Sequence, residues 1–281
     1  MAQTNDELKK RVKEHWEAET CGIRYGDGNS REAYFDRIYT SRYERTTYIR
    51  DFASFESARG KRVLEIGVGA GSDFRSWVEN GALATGVDLT EAGIRLTREH
   101  LAVKGLEGDA HELRLADAEE LPFADGTFDV VYSYGVLHCT PDTEAAFAEA
   151  FRVLKPGGRL RAMIYHVPSW TGFMLWIRYG LMTGRPLVSK KQVIFEKLES
   201  PGTKAYALQQ ASELVASAGF DGVHVESRLC PGDQLNIVPS ARYQGWFYRI
   251  VWMLYPRWLV SLLGDRFGLN LLIRATKPLV G

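Results

Sequence analysis

The stretch VLEIGVGAGSD (63–73) is a short apolar run that breaks into alternating glycines and then enters an amphipathic segment. A strand that feeds a glycine turn and then a helix is a corner of an open parallel sheet. The same alternation repeats downstream. KRVLEIG is a strand, SDFRSWVEN a helix closed by Gly81, and ALATGVDL the next strand. A helix over 90–104 is capped by Thr90 and ended by Gly105, and HELRLAD alternates as a third strand. TFDVVYSYG is a fourth strand, followed by a helix over 143–154. KPGG reads as a turn before a fifth strand, RLRAMIYH. A helix over 205–218 ends at Gly219, and strands DGVHVESRL and GLNLLIRATK follow. Nearly continuous apolar strands, separated by helices, predict an α/β fold with a parallel sheet buried on both faces.

Before Lys61 the pattern is helical. Thr4 and Glu7 form a capping box for a helix to about Glu19, and Ser30 caps a second helical stretch. Its aromatics, Tyr34, Phe35, Tyr43 and Tyr48, recur at helical spacing with Ile38. This N-terminal segment is charged throughout, unlike a signal peptide, and no run of eighteen apolar residues occurs anywhere. A cytoplasmic protein is the expectation. With 35 basic and 35 acidic residues the formal net charge is zero, so no overall basic field exists to gather nucleic acid, and no nucleic-acid partner is expected. Cys21, Cys139 and Cys230 lie far apart, which reads as reduced thiols and not a disulfide framework.

What lies against the glycines is constrained by what the loop lacks. Gly67, Gly69 and Gly71 are spaced GxGxG, and Ser72 stands where a dinucleotide fingerprint carries its third glycine. The lysine and hydroxyl of a phosphate loop are also missing. The acids point elsewhere. Glu65 sits two residues before the first glycine, where a cationic amino group would lie. Asp88 ends the second strand, and its two oxygens can accept both hydroxyls of a ribose. Asp117 ends the third, placed to accept from an exocyclic amine of adenine, with Leu89 and Ala118 flanking the ring. Each acid alone could be a solvated strand end or a helix cap. Together they line one edge of the sheet, where open α/β folds bind ligands.

VLEIGVGAG, GVDLT, ADAEELPFADGTFDVVYSYGVLHCTPD and VLKPGGRL stand in an order and spacing that resembles the class I S-adenosylmethionine-dependent methyltransferases of the small-molecule type 11 kind. The resemblance covers roughly 61–166 closely, and FGLNLLIRATKP looks like that family's closing antiparallel strand. It implies a Rossmann-like, doubly wound sheet of seven strands with the last antiparallel. An N-terminal helical lid (1–58) would precede a methyltransferase domain (59–281) with insertions at about 167–205 and 240–265. It implies S-adenosylmethionine as cofactor and S-adenosylhomocysteine as product. Glu65, Gly67, Gly69 and Gly71 would hold the methionine end, and Asp88 and Leu89 the ribose and one adenine face. Asp117, Ala118 and Glu119 would take the adenine edge, and Tyr134 and Gly135 would lie beside the methionine moiety. Many relatives carry two adjacent histidines where this chain has His138-Cys139.

His138 follows the fourth strand as a candidate catalytic or acceptor-contacting residue, unless it holds its loop by a backbone hydrogen bond. Tyr165 and His166 end the fifth strand as a second candidate pair, or else a packed strand terminus. Tyr206 reads as packing at a helix start, Cys139 as a buried small side chain, and Tyr25, Tyr39 and Arg42 as possible members of the lid. No set of ligands has metal spacing, so no metal is expected. Two apolar insertions remain. The first, 167–202, carries Trp170, Phe173, Met174, Trp176, Ile177 and Leu181. The second, 241–264, carries Phe247, Ile250, Val251 and Leu254 at helical spacing, with Pro256 dividing it. The second reads either as a lid buried in the protein or a homodimer interface, or as a peripheral membrane contact. Both insertions suggest a small, mostly apolar acceptor: natural-product, quinone, isoprenoid or lipid-like. The expected reaction is methylation at an O or C nucleophile. The alternatives are N-methylation of a small metabolite, a non-methylating reaction of the bound cofactor, and a module that only binds it. A nicotinamide or flavin enzyme is disfavoured by Ser72.

Overall fold

The computed structural model describes residues 4–108, 111–237, 253 and 255–279. Eight strands form one sheet: β1 (Arg62–Ile66), β2 (Leu83–Asp88), β3 (His111–Leu115), β4 (Phe128–Tyr134), β5 (Leu154–His166), β6 (Ala205–Tyr206), β7 (Asp221–Arg228) and β8 (Asn270–Thr276). Seven follow the order β3-β2-β1-β4-β5-β8-β7, and the two-residue β6 pairs with the end of β5. β8 runs antiparallel to both neighbours, whereas β1 to β5 are parallel. The doubly wound sheet with an antiparallel last strand is therefore present.

Two readings change. KPGG is not a separate turn: β5 begins at Leu154 beside Phe128, and the register slips before Val130 pairs with Arg159. The extra residues are absorbed as a bulge within the strand. The helix expected from Ala205 starts at Leu208, because Ala205 and Tyr206 are drawn into pairing with Tyr165 and His166.

The helices are α1 (Asn5–Ala18), α2 (Arg31–Arg45), α3 (Ile49–Ala53), α4 (Ser72–Glu79), α5 (Glu91–Val103), α6 (Thr143–Val153), α7 (Trp170–Tyr179), α8 (Lys190–Lys197), α9 (Leu208–Ser217) and α10 (Arg257–Leu263). The Thr4–Glu7 capping box forms, and the Ser30 hydroxyl accepts from the Ala33 amide. The aromatic segment expected as one helical stretch is broken: Thr46 leaves helical geometry after α2, and Ser54 ends α3 in the left-handed region at φ 56°. Two adjacent β-branched residues, Thr46 and Thr47, stand at the break and lower helix propensity there.

Side chains alternate across the strands and build a core on each face. Val63, Tyr132 and Met163 point to the side of Phe52, Phe55, Phe74 and Trp77. Leu64, Val131 and Leu160 point to the side of Phe147, Ala150 and Val215. Trp77 is fully buried between Phe55 and Tyr132, with ring centroids 4.4 and 5.4 Å away. Burial of each such side chain stabilises by roughly 1.5–3 kcal/mol. Residues 241–252 and 254 of the second insertion lie outside the described residues. Pro256 does stand at a helix start, immediately before α10. Among the described residues no helix is long and apolar enough to cross a membrane.

Candidate active site

The parallel strands end on one edge, and the glycine loop leaves it at the top of β1. Gly67 has φ 83°, and a Cβ there would lie 2.2 Å from Val136 Cγ2, so any other residue is strained at this position. Asp88 ties this loop to the second strand. Its Oδ2 accepts from the Gly69 amide at 3.0 Å, and its Oδ1 accepts from the Thr90 amide and hydroxyl at 2.9 and 2.7 Å. The carboxylate is half-buried, and with two hydrogen bonds on Oδ1 and one on Oδ2 its remaining acceptor capacity lies on Oδ2.

Glu65 is buried beneath the loop, and its Oε2 has no hydrogen-bond partner. Burial, and then the neighbouring Asp73, raise its pKa well above the ordinary carboxylate range, opposed by Arg42. Asp73, on the first turn of α4, was not among the expected site residues. It accepts from Arg42 through both guanidinium arms, one at 2.7 Å, and from the hydroxyls of Tyr43 at 3.0 Å and Tyr132 at 2.6 Å. Arg42 also lies over the Tyr134 ring, 4.7 Å from its centroid. Asn270 on β8 donates to the hydroxyls of both Tyr134 and Tyr48. Gly135, with φ 83°, closes β4 by donating to the Met163 carbonyl.

At the opposite end Asp117 and Glu119 flank the buried Ala118, with Leu89 half-buried at the end of β2. Lys9 on α1 bridges the two acids at 2.6 and 2.5 Å. Glu17 on the same helix accepts from the Glu91 and Ala92 amides and so caps α5. Cys21, in the loop after α1, lies over Gly69: a Cβ on that glycine would meet the Cys21 Cβ at 3.7 Å. Of the three residues expected in a lid, Arg42 enters the network. Tyr39 joins its margin, bonding Glu79 and the buried Ser76, whose hydroxyl also bonds Tyr43, and Tyr25 lies under Arg45.

His138 is fully buried, and neither ring nitrogen has a partner. Its ring centroid is 4.2 Å from that of Tyr165. Burial first, and Lys204 second, push its pKa down to about 3, so the ring is neutral. The ring does not hold its loop. Lys204 does so, with its backbone amide on the His138 carbonyl at 3.0 Å and its ammonium on the Thr140 and Pro141 carbonyls and the Thr143 hydroxyl. His166 is anchored differently. Its Nδ1 donates to the Gly268 carbonyl at 2.9 Å, which leaves Nε2 as a buried acceptor without a partner. Tyr206 is a half-buried member of β6.

Sequence spacing could not reveal that the fold gathers His138, Cys139 and Glu199, one ligand atom from each lying within 4.8 Å of the others. Glu199 arrives from the end of the first insertion. Ligand atoms around one tetrahedral zinc, with bonds of about 2.0–2.3 Å, would lie closer together than that span.

Strand order and the antiparallel β8 define the fold of the class I S-adenosylmethionine-dependent methyltransferases. Residues 64–162 match the family described as a methyltransferase domain, which supports that class for this stretch. The chain is 38% identical over 127 residues, 44% of this chain and 43% of the other, to a phthiotriol/phenolphthiotriol dimycocerosates methyltransferase of Mycobacterium ulcerans. It is 36% identical over 135 residues, 47% of this chain and 49% of the other, to the 27-O-demethylrifamycin SV methyltransferase of Amycolatopsis mediterranei. The matched stretch thus spans less than half the length of these relatives. A solved S-adenosylmethionine-dependent methyltransferase from Mesorhizobium loti shares the fold at TM-score 0.53 and 20% identity, over 82% of this chain and 97% of that one.

Proposed function

We propose that this protein transfers a methyl group from S-adenosylmethionine to an oxygen or carbon nucleophile of a small, mostly apolar molecule, leaving S-adenosylhomocysteine. The observation that carries the reading is His138: a neutral imidazole with two unbonded nitrogens at the strand edge that also holds the acidic glycine-loop pocket. Burying such a ring unpaired costs about 1–3 kcal/mol per unsatisfied group, which a hydroxyl or acidic carbon of an acceptor would recover.

The residues present fit the cofactor. Its sulfonium supplies an already electrophilic methyl group, so the chain's task is recognition and positioning. The orphaned Glu65 Oε2 would accept from the ammonium group, and the bare backbone at Gly67, Gly69 and Gly71 leaves room for the methionine end. Asp88 would hold the ribose. Leu89 and Ala118 would flank adenine, and Asp117 with Glu119 would take its edge. Tyr134 and Gly135 would border the methionine moiety, where an aromatic face attracts a cation by roughly 0.5–2 kcal/mol. Residues 1–58 act as a lid through Lys9, Glu17, Cys21 and Arg42.

Orienting an acceptor in line can supply roughly 7–11 kcal/mol of the barrier. His138 would remove its proton, typically worth about 10²–10⁴-fold. Tyr165 and His166 Nε2 would contact the acceptor, and no metal takes part. The names of the two curated relatives, which act on phthiotriol dimycocerosates and a demethylrifamycin, support an apolar acceptor.

Methyl-labelled S-adenosylmethionine, incubated separately with apolar and polar metabolite extracts of the source organism, tests this. Label is expected in an apolar product and is lost in Asp88→Ala and in Asp117→Ala. Label confined to polar products would overturn the apolar acceptor. Tight cofactor binding without label in either extract would overturn methyl transfer.

A further inference from the structure

The large apolar side chains that the fold leaves in water are not scattered. Of twelve among the described residues, four lie on α7 and the turn leading to α8: Phe173 is 39% exposed, Leu181 52%, Met182 68% and Leu187 99%. Four more, Met253, Trp258, Leu262 and Leu263, lie on and before α10. Isolated exposed leucines need no explanation, but a projecting run of them does.

The charge around the first group is one-sided. In a chain with 35 basic and 35 acidic residues, 167–195 holds Arg178, Arg185, Lys190 and Lys191 and not one acid. Lys190 lies over the Trp176 ring at 5.9 Å, and Lys191 donates to Gln210 at 2.7 Å, so neither is neutralised by a carboxylate. Between α7 and the chain leading into α8 runs an open groove of about 470 Å³, lined by Val167, Pro168, Trp176, Pro186, Val188 and Lys190. One of its lining residues, Val167, immediately follows the end of β5.

We infer that the α7–α8 hairpin docks on an anionic lipid surface, with Leu181, Met182 and Leu187 entering the headgroup–acyl boundary and Lys190 and Lys191 facing the lipid charge. Apolar tips flanked by cations suit such an interface. A second copy of the chain fits worse, because a symmetric contact would set this acid-free, cationic stretch against itself. The inference does not depend on methyl transfer: it concerns a surface whose binding can be read without any acceptor.

The experiment is co-sedimentation of the full-length chain with two kinds of vesicle, one of equal parts phosphatidylglycerol and phosphatidylcholine, the other of phosphatidylcholine alone. Binding is expected to the first, much less to the second, and to weaken as salt rises. Each cation near such a surface strengthens partitioning about fivefold. Lys190→Gln with Lys191→Gln should therefore weaken it about 25-fold, and Leu187→Asp tenfold or more. These positions are exposed or half-exposed, so circular dichroism and thermal melting should match the parent. Failure of the parent to bind the anionic vesicles would overturn the inference, as would equal, salt-insensitive binding to both kinds. Unchanged binding by these variants, with loss in Trp258→Asp, would place the contact on α10 and overturn it too. Self-association abolished by Leu187→Asp, without vesicle binding, would assign the surface to a second copy.

Discussion

Glu65→Gln should move stability and cofactor affinity in opposite directions. In the free protein the Glu65 carboxyl is buried, one oxygen is unpartnered, and Asp73 and Asp88 lie near enough to raise its pKa further. The sign follows from linkage. A carboxyl whose folded pKa exceeds its ordinary value of 4.5 opposes folding as pH rises through that value, because only the unfolded chain releases the proton freely. The penalty is absent below pH 4.5, grows as the pH rises above it, and is complete once the pH passes the folded pKa. Glutamine keeps the shape and removes the charge. At pH 7 the substitution should raise unfolding free energy by about 1.4 kcal/mol for each pH unit over which the folded carboxyl resists ionisation, and at pH 4 by much less.

Binding runs the other way. A charge-assisted hydrogen bond to a cationic ligand group contributes about 1.5–3 kcal/mol, so S-adenosylmethionine should bind roughly 10- to 150-fold more weakly. Urea unfolding at pH 7 and pH 4, beside calorimetric titration with the cofactor, measures both. A variant less stable than the parent at pH 7, or one that binds the cofactor equally well, would refute the argument. The first outcome would mean that Glu65 already has a partner. The second would mean that the ammonium group goes elsewhere.

Acid should unfold the protein earlier than its carboxylates alone require. His138 and His100 titrate at about 3 and about 4 when folded, so their contribution to stability is full above pH 6.5 and is lost as pH falls toward those values. His100→Gln should flatten the fall between pH 6.5 and 4 in urea midpoints. Gly67→Ala should lower the urea midpoint, and Val136→Ala on top should restore it only in part, since it removes the 2.2 Å clash with Cγ2 but not the φ of 83°; complete rescue would count against the backbone argument. Arg42→Met should cost about 3–5 kcal/mol in urea unfolding by stranding the buried Asp73, and a loss under about 1 kcal/mol would refute that pairing.

The placement of the strand-end acids was legible because strand ends are local information. Once β1, β2 and β3 are placed, Glu65, Asp88 and Asp117 must reach the same edge, and the period of two decides which face each side chain takes. The surroundings of His138 were not. Lys204 holds the His138 loop from 61 to 64 residues away, and Arg42 meets Asp73 across 31. Nothing in the spacing of GVLHCTPD says that the backbone is secured elsewhere and the imidazole left free. A lysine in SPGTKAYAL reads as surface until the two-residue β6 brings it under the loop. The break at Thr46 was also hidden, since aromatic periodicity continues through it while the backbone does not.

The N-terminal helices are tied to the domain by charge as much as by coverage. Glu65, Asp73 and Asp88 gather around one turn of glycine backbone, and the cation that Glu65 and Asp73 share is Arg42, from α2. Three acids against one guanidinium leave an acidic pocket, which suits a ligand whose ammonium and sulfonium outnumber its carboxylate. A chain beginning at residue 59 would lose Arg42 and Tyr43 together and leave Asp73 with Tyr132 as its remaining side-chain donor. A segment that merely covered the cofactor could be removed at the expense of affinity alone. This one carries the counter-charge of a buried carboxylate, so its removal should unfold the domain before it opens the site.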